Sequence, residues 1–428
     1  MTDVRTDIPA SATAKPGARW RDAAASRRVR RRYVVERWFR AAGLLAIGIS
    51  VLFLAFLLYS MGSKGLGGFV HYEARLPIEF AKTDLFLDPA TLRAPDANQK
   101  VRAADLEGAI ATAAKAAYGA EAEQMFSEAA SYSLADQIVR NPDMLNGSSQ
   151  VWLPVSSRID IAAKQEGDAA SEKLVSLLKQ RGALRSAFNT TFLTASDATD
   201  PSAVGVWGAL KGTFFTILVT MALAFPVGVL AAVYLEEFAP RNRWTDAIEV
   251  SINNLAAVPS IIFGLLGLAV FLNVMNLPRS APLVGGMTLA LMTMPVIVIA
   301  GRNAIKTVPP SIRDAALGVG ASKMQVTFHH VLPLALPGIL TGTIIGVARA
   351  LGETAPLLMI GMRAFIAAPP GGIADSATVL PVQIFLWSDE VDRGFVEKTS
   401  AAIIVLLLFM LLMNGLAIYL RNRFERRW

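Results

Sequence analysis

The chain has 428 residues, 53% of them hydrophobic and 18% charged, which is more apolar surface than one soluble core of that size requires. It contains no cysteine, which excludes disulfides, thiolate metal sites and cysteine nucleophiles. The formal net charge is +7, but the basic surplus flanks apolar runs and forms no aromatic-interleaved groove, so the expected partner is a lipid bilayer and not nucleic acid.

Residues 1–41 are a polar, basic tail carrying Pro9, Pro16, Arg27, Arg28, Arg30, Arg31 and Arg32, followed by an apolar run over 42–62. A cleaved signal would begin earlier and end at a small-x-small site; Gly62, Ser63, Lys64 and Gly65 follow instead, so an uncleaved first span is expected. Residues 63–206 are polar enough for a soluble accessory domain. Helix formers dominate Ala103–Ala130, a turn-rich break spans Asn141 to Ser149, and a further helix is expected over about Gly167–Arg185. No metal-ligand spacing or phosphate loop occurs there.

Five more apolar stretches predict spans over 210–235, 250–276, 282–302, 336–362 and 399–420. Lipid offers the backbone no hydrogen bonds, so runs of this length must be helical. Arg421, Arg423, Arg426 and Arg427 follow the last span as the Arg cluster precedes the first. The positive-inside rule therefore puts both termini, including the tail 421–428, in the cytoplasm, and six spans then place 63–206 outside.

The connection 303–335 is too polar to span. Within it, P-P-S-I-R-D-A-A-L-G-V-G-A-S-K-M-Q-V-T-F-H-H-V-L-P (309–333) predicts a short helical hairpin, with Ser311 as N-cap, Asp314 near the positive end of the dipole, and a break at Gly318 and Gly320. In the fifth span Gly338, Gly342 and Gly346 recur every four residues, the spacing that lets membrane helices approach closely. Arg349 and Glu353 continue that helix one turn apart. A charge at this depth costs roughly 2.5–3.5 kcal/mol on insertion scales, so the pair either neutralises itself within a helix interface or lines a path for an anion. Arg302, ending the fourth span, is a positive-inside anchor or a second anion contact.

The loop is similar to the cytoplasmic loop of ABC-importer permeases, which has the form Glu-Ala-Ala, three residues, Gly, nine residues, Ile-x-Leu-Pro. Asp314, Ala315, Ala316, Gly320, Leu332 and Pro333 match that spacing, with Asp314 in place of Glu and His330 in place of Ile. R-A-L-G-E-T-A-P-L-L (349–358) resembles the signature of the PstA-type permease subunit of bacterial phosphate ABC transporters. N-L-A-A-V-P-S-I-I-F-G-L-L-G (254–267) and M-P-V-I-V-I-A-G-R-N-A-I-K-T-V-P resemble that family's third and fourth spans.

The resemblance implies an all-α membrane protein of six transmembrane helices: a type I permease core of five (207–420), one N-terminal helix and an inserted extracytoplasmic α-rich domain. It implies inorganic phosphate as substrate, passing Arg349, Glu353, Thr354 and Arg302. It also implies a paired PstC-type permease, a periplasmic phosphate-binding protein and an ATPase dimer that docks on the 309–333 loop. No G-x-x-x-x-G-K-[ST] occurs, so this chain is expected to bind no cofactor and catalyse nothing, ATP and Mg²⁺ belonging to the ATPase.

Two other readings stand beside this one. The same fold serves other oxyanions and small solutes. A scaffold or sensor could use the outside domain. A membrane enzyme is disfavoured, since His71, His329 and His330 are the only histidines and neither H-E-x-x-H nor G-x-S-x-G is present.

Overall fold

The computed structural model describes residues 23–80, 83, 85, 97–165 and 167–424. The expectations for residues 1–22 and for Arg426 and Arg427 lie outside the described residues. The chain forms two compact units, 1–60 and 61–428. The described part of the first is helical: α1 runs Ala23–Gly68, longer than the expected 42–62, and is exposed throughout residues 29–59 apart from the gradual cover at its end. Over residues 41–58 the helix is apolar on every face, with Leu44, Leu52 and Phe53 all outward, which suits lipid and not water.

In the second unit the chain first builds a small α+β domain: β1 (Val70–Glu79), α2 (Ala97–Arg102), α3 (Leu106–Tyr118), α4 (Glu128–Arg140), β2 (Ser148–Pro154), α5 (Ser157–Lys164), α6 (Ala169–Gln180), β3 (Leu184–Phe188) and α7 (Thr190–Thr194). The expected α-rich domain thus contains a three-stranded antiparallel sheet, ordered β2-β1-β3. Alternation in β1 turns Ala74, Leu76 and Ile78 into a core shared with Leu134, Ile138, Leu153 and Leu178. Pro77 lies where β3 no longer pairs, on a stretch of β1 with one free edge, which is where a strand tolerates proline. The alanine-rich stretch divides because α3, capped by Asp105 on the Gly108 N–H, ends at Gly119 with φ +97°.

The remainder is helical: α8 (Trp207–Val233), α9 (Arg243–Ala256), α10 (Ser260–Gly267), α11 (Pro282–Lys306), α12 (Pro310–Gly318), α13 (Lys323–Gln325), α14 (Leu332–Leu351), α15 (Ala355–Met359), α16 (Leu380–Ser388) and α17 (Gly394–Phe424). Wide π turns extend α8 over Tyr234–Phe238 and α10 over Leu268–Val274, and another joins α13 to α14 over Val326–Val331. Five helices among the described residues are long and apolar enough to cross a membrane: 29–68, 207–238, 282–306, 323–351 and 394–423.

Two expected spans are corrected. The run 250–276 is not one helix: α9 and α10 meet at 99°. Pro259 cannot donate to the helix ladder and its ring holds the preceding residue out of the helical region, so the chain turns there. α9 buries no side chain and exposes Trp244, Ile248 and Val250. The run 336–362 starts earlier and ends sooner, as a continuous helix from Lys323 to Leu351. Gly352 caps it, and the separate five-residue α15 follows with Pro356 in its first turn.

Helix directions follow from which glycines touch which neighbours. Gly228 of α8 meets Ile297 and Gly286 of α11 meets Val219, so α8 and α11 run parallel. The bent pair between them must therefore carry the chain back across. Gly338 meets Ala304, Gly342 meets Ala300 and Gly346 meets Thr293, so α14 runs antiparallel to α11. The Arg421 guanidinium donates to Thr341 Oγ1 at 3.3 Å, so α17 returns antiparallel to α14. One end of the bundle thus gathers the ends of α8, α11 and α17 with α12. The other gathers the start of α17 with the α+β domain, through Lys164 Nζ on Glu397 Oε2 at 2.9 Å and on the Gly67 carbonyl at 2.9 Å.

Candidate functional site

At the first end, α12 and the start of the Lys323–Leu351 helix form the expected hairpin, with one change at its entrance. Pro309 is the N-cap and Pro310 the first helical residue, so Ser311 lies inside the helix and caps nothing. Proline suits this position because its missing N–H would be unsatisfied anyway. The break is at Gly320, whose φ of +90° only glycine adopts without strain, and Ser322 and Gln325 then form a reciprocal capping box. Ala316 is buried against Val326, Val331, Ile305 and Val308. Asp314 and Ala315 face outward beside Leu317, Val319, Met324 and Phe328, which are 51, 86, 57 and 38% exposed. Four large apolar side chains are thus exposed on one polar hairpin. Leu332 and Pro333 open α14, so the hairpin's second arm and the transmembrane helix are one rod.

The same end holds a charge cluster that sequence inspection did not assemble. Glu236 and Glu237 sit in the π turn that ends α8. Arg302 donates to Glu249 Oε2 at 2.9 Å and to Glu236 Oε2 at 3.4 Å, and Lys306 lies 3.7 Å from Glu236. Arg302, 12% exposed, is thereby paired on two sides, which fits a structural anchor better than an open anion contact. The adjacent glutamates directly after an apolar run were the available signal.

At the opposite end, Arg349, Glu353 and Thr354 meet at the gap between α14 and α15. Arg349 lies in the last turn of α14, where a cation complements the helix dipole. Glu353 is no longer helical, yet its Oε1 stays 3.6 Å from Arg349 Nε. The guanidinium is half exposed and the carboxylate mostly covered. Thr354 begins α15, and its carbonyl accepts from the Leu357 and Leu358 N–H groups. Gly264 of α10 presses against Pro356 of α15, so the segments 254–267 and 349–358 pack together. Arg302 is not part of this site. It lies level with Gly338–Gly342, nine residues along the axis from Arg349, or about 14 Å at 1.5 Å per residue.

The glycine stripe lies against α11. A Cβ on Gly342 would fall 2.0 Å from Ala300 Cβ, and on Gly338 2.7 Å from Ala304 Cβ. Elsewhere an apolar cleft between α8, α14 and α17 is lined by Ile217, Met221, Phe225, Thr343, Val347 and Met413. Among the described residues, no cluster of histidine and carboxylate side chains has the makings of a metal site.

Comparison with known proteins agrees with this arrangement. Residues 224–428 match the family "Binding-protein-dependent transport system inner membrane component", and residues 26–173 match a "Domain of unknown function (DUF3333)". The chain is 30% identical over 211 residues to the phosphate transport system permease protein PstA of Haemophilus influenzae, covering 49% of this chain and 73% of that protein. It is 33% identical over 168 residues to the probable ABC transporter permease protein YqgI of Bacillus subtilis, covering 39% and 56%, and 35% identical over 156 residues to PstA 1 of Mycobacterium tuberculosis, covering 36% and 51%. The chain thus spans about half the length of these last two relatives. A methionine ABC transporter, MetNI, is 20% identical over 52% of this chain and 95% of its own at a TM-score of 0.38. Bundle, hairpin and relatives together make this chain a member of the binding-protein-dependent transport inner-membrane family, among its PstA-type permeases.

Proposed function

We propose that the chain is the permease subunit of an ATP-driven importer and carries inorganic phosphate into the cytoplasm. The observation that carries the reading is one continuous helix of 29 residues, Lys323–Leu351, about 40 Å long. It begins in a hairpin with an exposed apolar face and ends at Arg349. A partner that moves the hairpin moves the rod, and the rod positions the guanidinium. Phosphate as the solute is supported by the names of the relatives and by the planar donors of Arg349, which match a tetrahedral oxyanion. Glu353 holds the guanidinium when no anion is present.

In this reading the hairpin end is cytoplasmic, as Arg421 and Arg423 beside it suggest. The α+β domain is then periplasmic, near where a phosphate-binding protein would deliver its load. A PstC-type permease completes the path. An ATPase dimer binds ATP and Mg²⁺, supplies hydrolysis and docks against Asp314, Ala315 and the exposed apolar residues beside them, leaving this chain non-catalytic.

The test is uptake of labelled phosphate by vesicles holding this chain with its partner permease and ATPase. Arg349→Gln is expected to lower uptake by at least about tenfold, the equivalent of one charge-assisted contact of roughly 1.5–3 kcal/mol, with the ATPase still bound. Arg349→Lys should fall between, keeping the charge without the fork. Wild-type uptake by Arg349→Gln would remove Arg349 from the path.

A further inference from the structure

α12 is held to the bundle in an unusual way. It has one buried side chain, the methyl of Ala316, which is little purchase for a helix that must transmit force. Beside this and the half-buried Ile312, its polar hold is Arg313. Nη2 and Nε donate to Glu237 Oε1 at 2.8 and 3.1 Å, Nη1 donates to the Val308 carbonyl at 2.7 Å, and Nη2 donates to the Ile305 carbonyl at 3.0 Å. Glu237 is 9% exposed and Arg313 23%. One guanidinium therefore ties α12 to the π turn after α8 and to the end of α11. The neighbouring Glu236 turns the other way, to Arg302 and Lys306 of α11, and Arg302 continues to Glu249 of α9.

The hairpin thus has two mechanical outlets. Its second arm is continuous with α14. Its first arm reaches the α8–α11 pair through Arg313, and Gly320, at φ +90°, ends the helical backbone between the arms, so the two arms are separate helices.

We propose that the Arg313–Glu237 pair is the positioning link that makes α8 and α11 follow α12, so that the pair sets how much solute moves per nucleotide hydrolysed. The proposal rests on the importer reading above. It assigns no contact with solute or nucleotide to either residue: Arg313 acts by holding α12, and Glu237 by holding Arg313.

A double-mutant cycle in vesicles containing the full complex tests it, with uptake and hydrolysis measured on the same preparation. Arg313→Gln and Glu237→Gln are each expected to lower uptake per nucleotide by about tenfold, within the usual range of coupling between sites. The double variant should be no worse than the worse single one. Multiplying effects, or an unchanged ratio, would overturn the link. A second measurement does not depend on the solute or on any partner. Spin labels at Val319 and Leu230, both exposed, should give a narrow distance distribution in the isolated wild-type chain and a broad one in Arg313→Gln. Equal widths would also overturn it. Absence of phosphate uptake by the wild-type complex, with the narrow distribution intact, would instead sink the importer reading and leave the link standing.

Discussion

Asp197 lies in the loop after α7, where its Oδ1 accepts the Trp387 indole N–H at 3.0 Å and the Ala198 N–H at 3.2 Å. Burial pushes its carboxyl above the usual range, and the indole only partly offsets this. A raised acid binds a proton in the folded chain that it has lost in the unfolded one. Its contribution is therefore complete below the unfolded value near 3.9 and disappears as pH rises through the folded one. Asp197→Asn keeps the acceptor and cannot ionise. Its melting temperature should gain on the wild type as pH rises above about 4, and the two should converge at the acid end. A pH-independent difference would contradict the assignment. Two arginines make a related point. Arg302 and Arg349 both end apolar helices, yet one is wrapped by carboxylates distant in sequence and the other is half free beside the local Glu353.

At the scale of elements, glycine works in two different ways here. Gly342 is needed for space: a methyl would meet Ala300 Cβ at 2.0 Å, so Gly342→Ala must push α14 off α11. It is expected to cost about 1–3 kcal/mol, read as a lower melting temperature in detergent. Gly415→Ala in α17 meets nothing within 4 Å and should be neutral or stabilising by up to about 1 kcal/mol. Equal effects at both sites would mean that packing is not the reason. Gly320 is needed for its backbone angle, since nothing lies within 4 Å of it. The four-residue glycine spacing announced a close helix contact but could not name Ala300 and Ala304 as its other half. Likewise the hairpin was legible from its motif, whereas its fusion to α14 through a π turn was not, because no local signal distinguishes a π turn from an α turn.

Across the whole molecule, the α+β domain is pinned to the bundle and not left on a tether. Lys164, 11% exposed, bridges Asp160 of its own helix at 2.6 Å and Glu397 in the first turn of α17 at 2.9 Å. Lys164→Met would take the bridging cation from two covered carboxylates and leave them only the field of buried Lys398, a loss of up to about 3–5 kcal/mol. Faster hydrogen exchange across α5, with a lower melting temperature, is the expected sign; unchanged exchange there would show that packing alone holds the domain. Motion at the bundle should thus be felt in the domain, a connection made by residues 233 positions apart.

The sequence alone determined that the chain lives in lipid, that its apolar runs are helices, and that a hairpin broken at a glycine joins two of them. These follow from rules acting over one or two helical turns: an unpartnered backbone is intolerable in hydrocarbon, and a positive φ selects glycine. The tertiary structure decided where the 250–276 run folds over, where the fifth span stops, that a sheet stands in the outer domain, and that Arg302 and Arg349 occupy opposite ends of the bundle. Each of these is set by which distant groups satisfy one another, Arg302 with Glu236 and Glu249, Gly264 with Pro356, β1 with β2 and β3, and such pairings leave no trace in local periodicity.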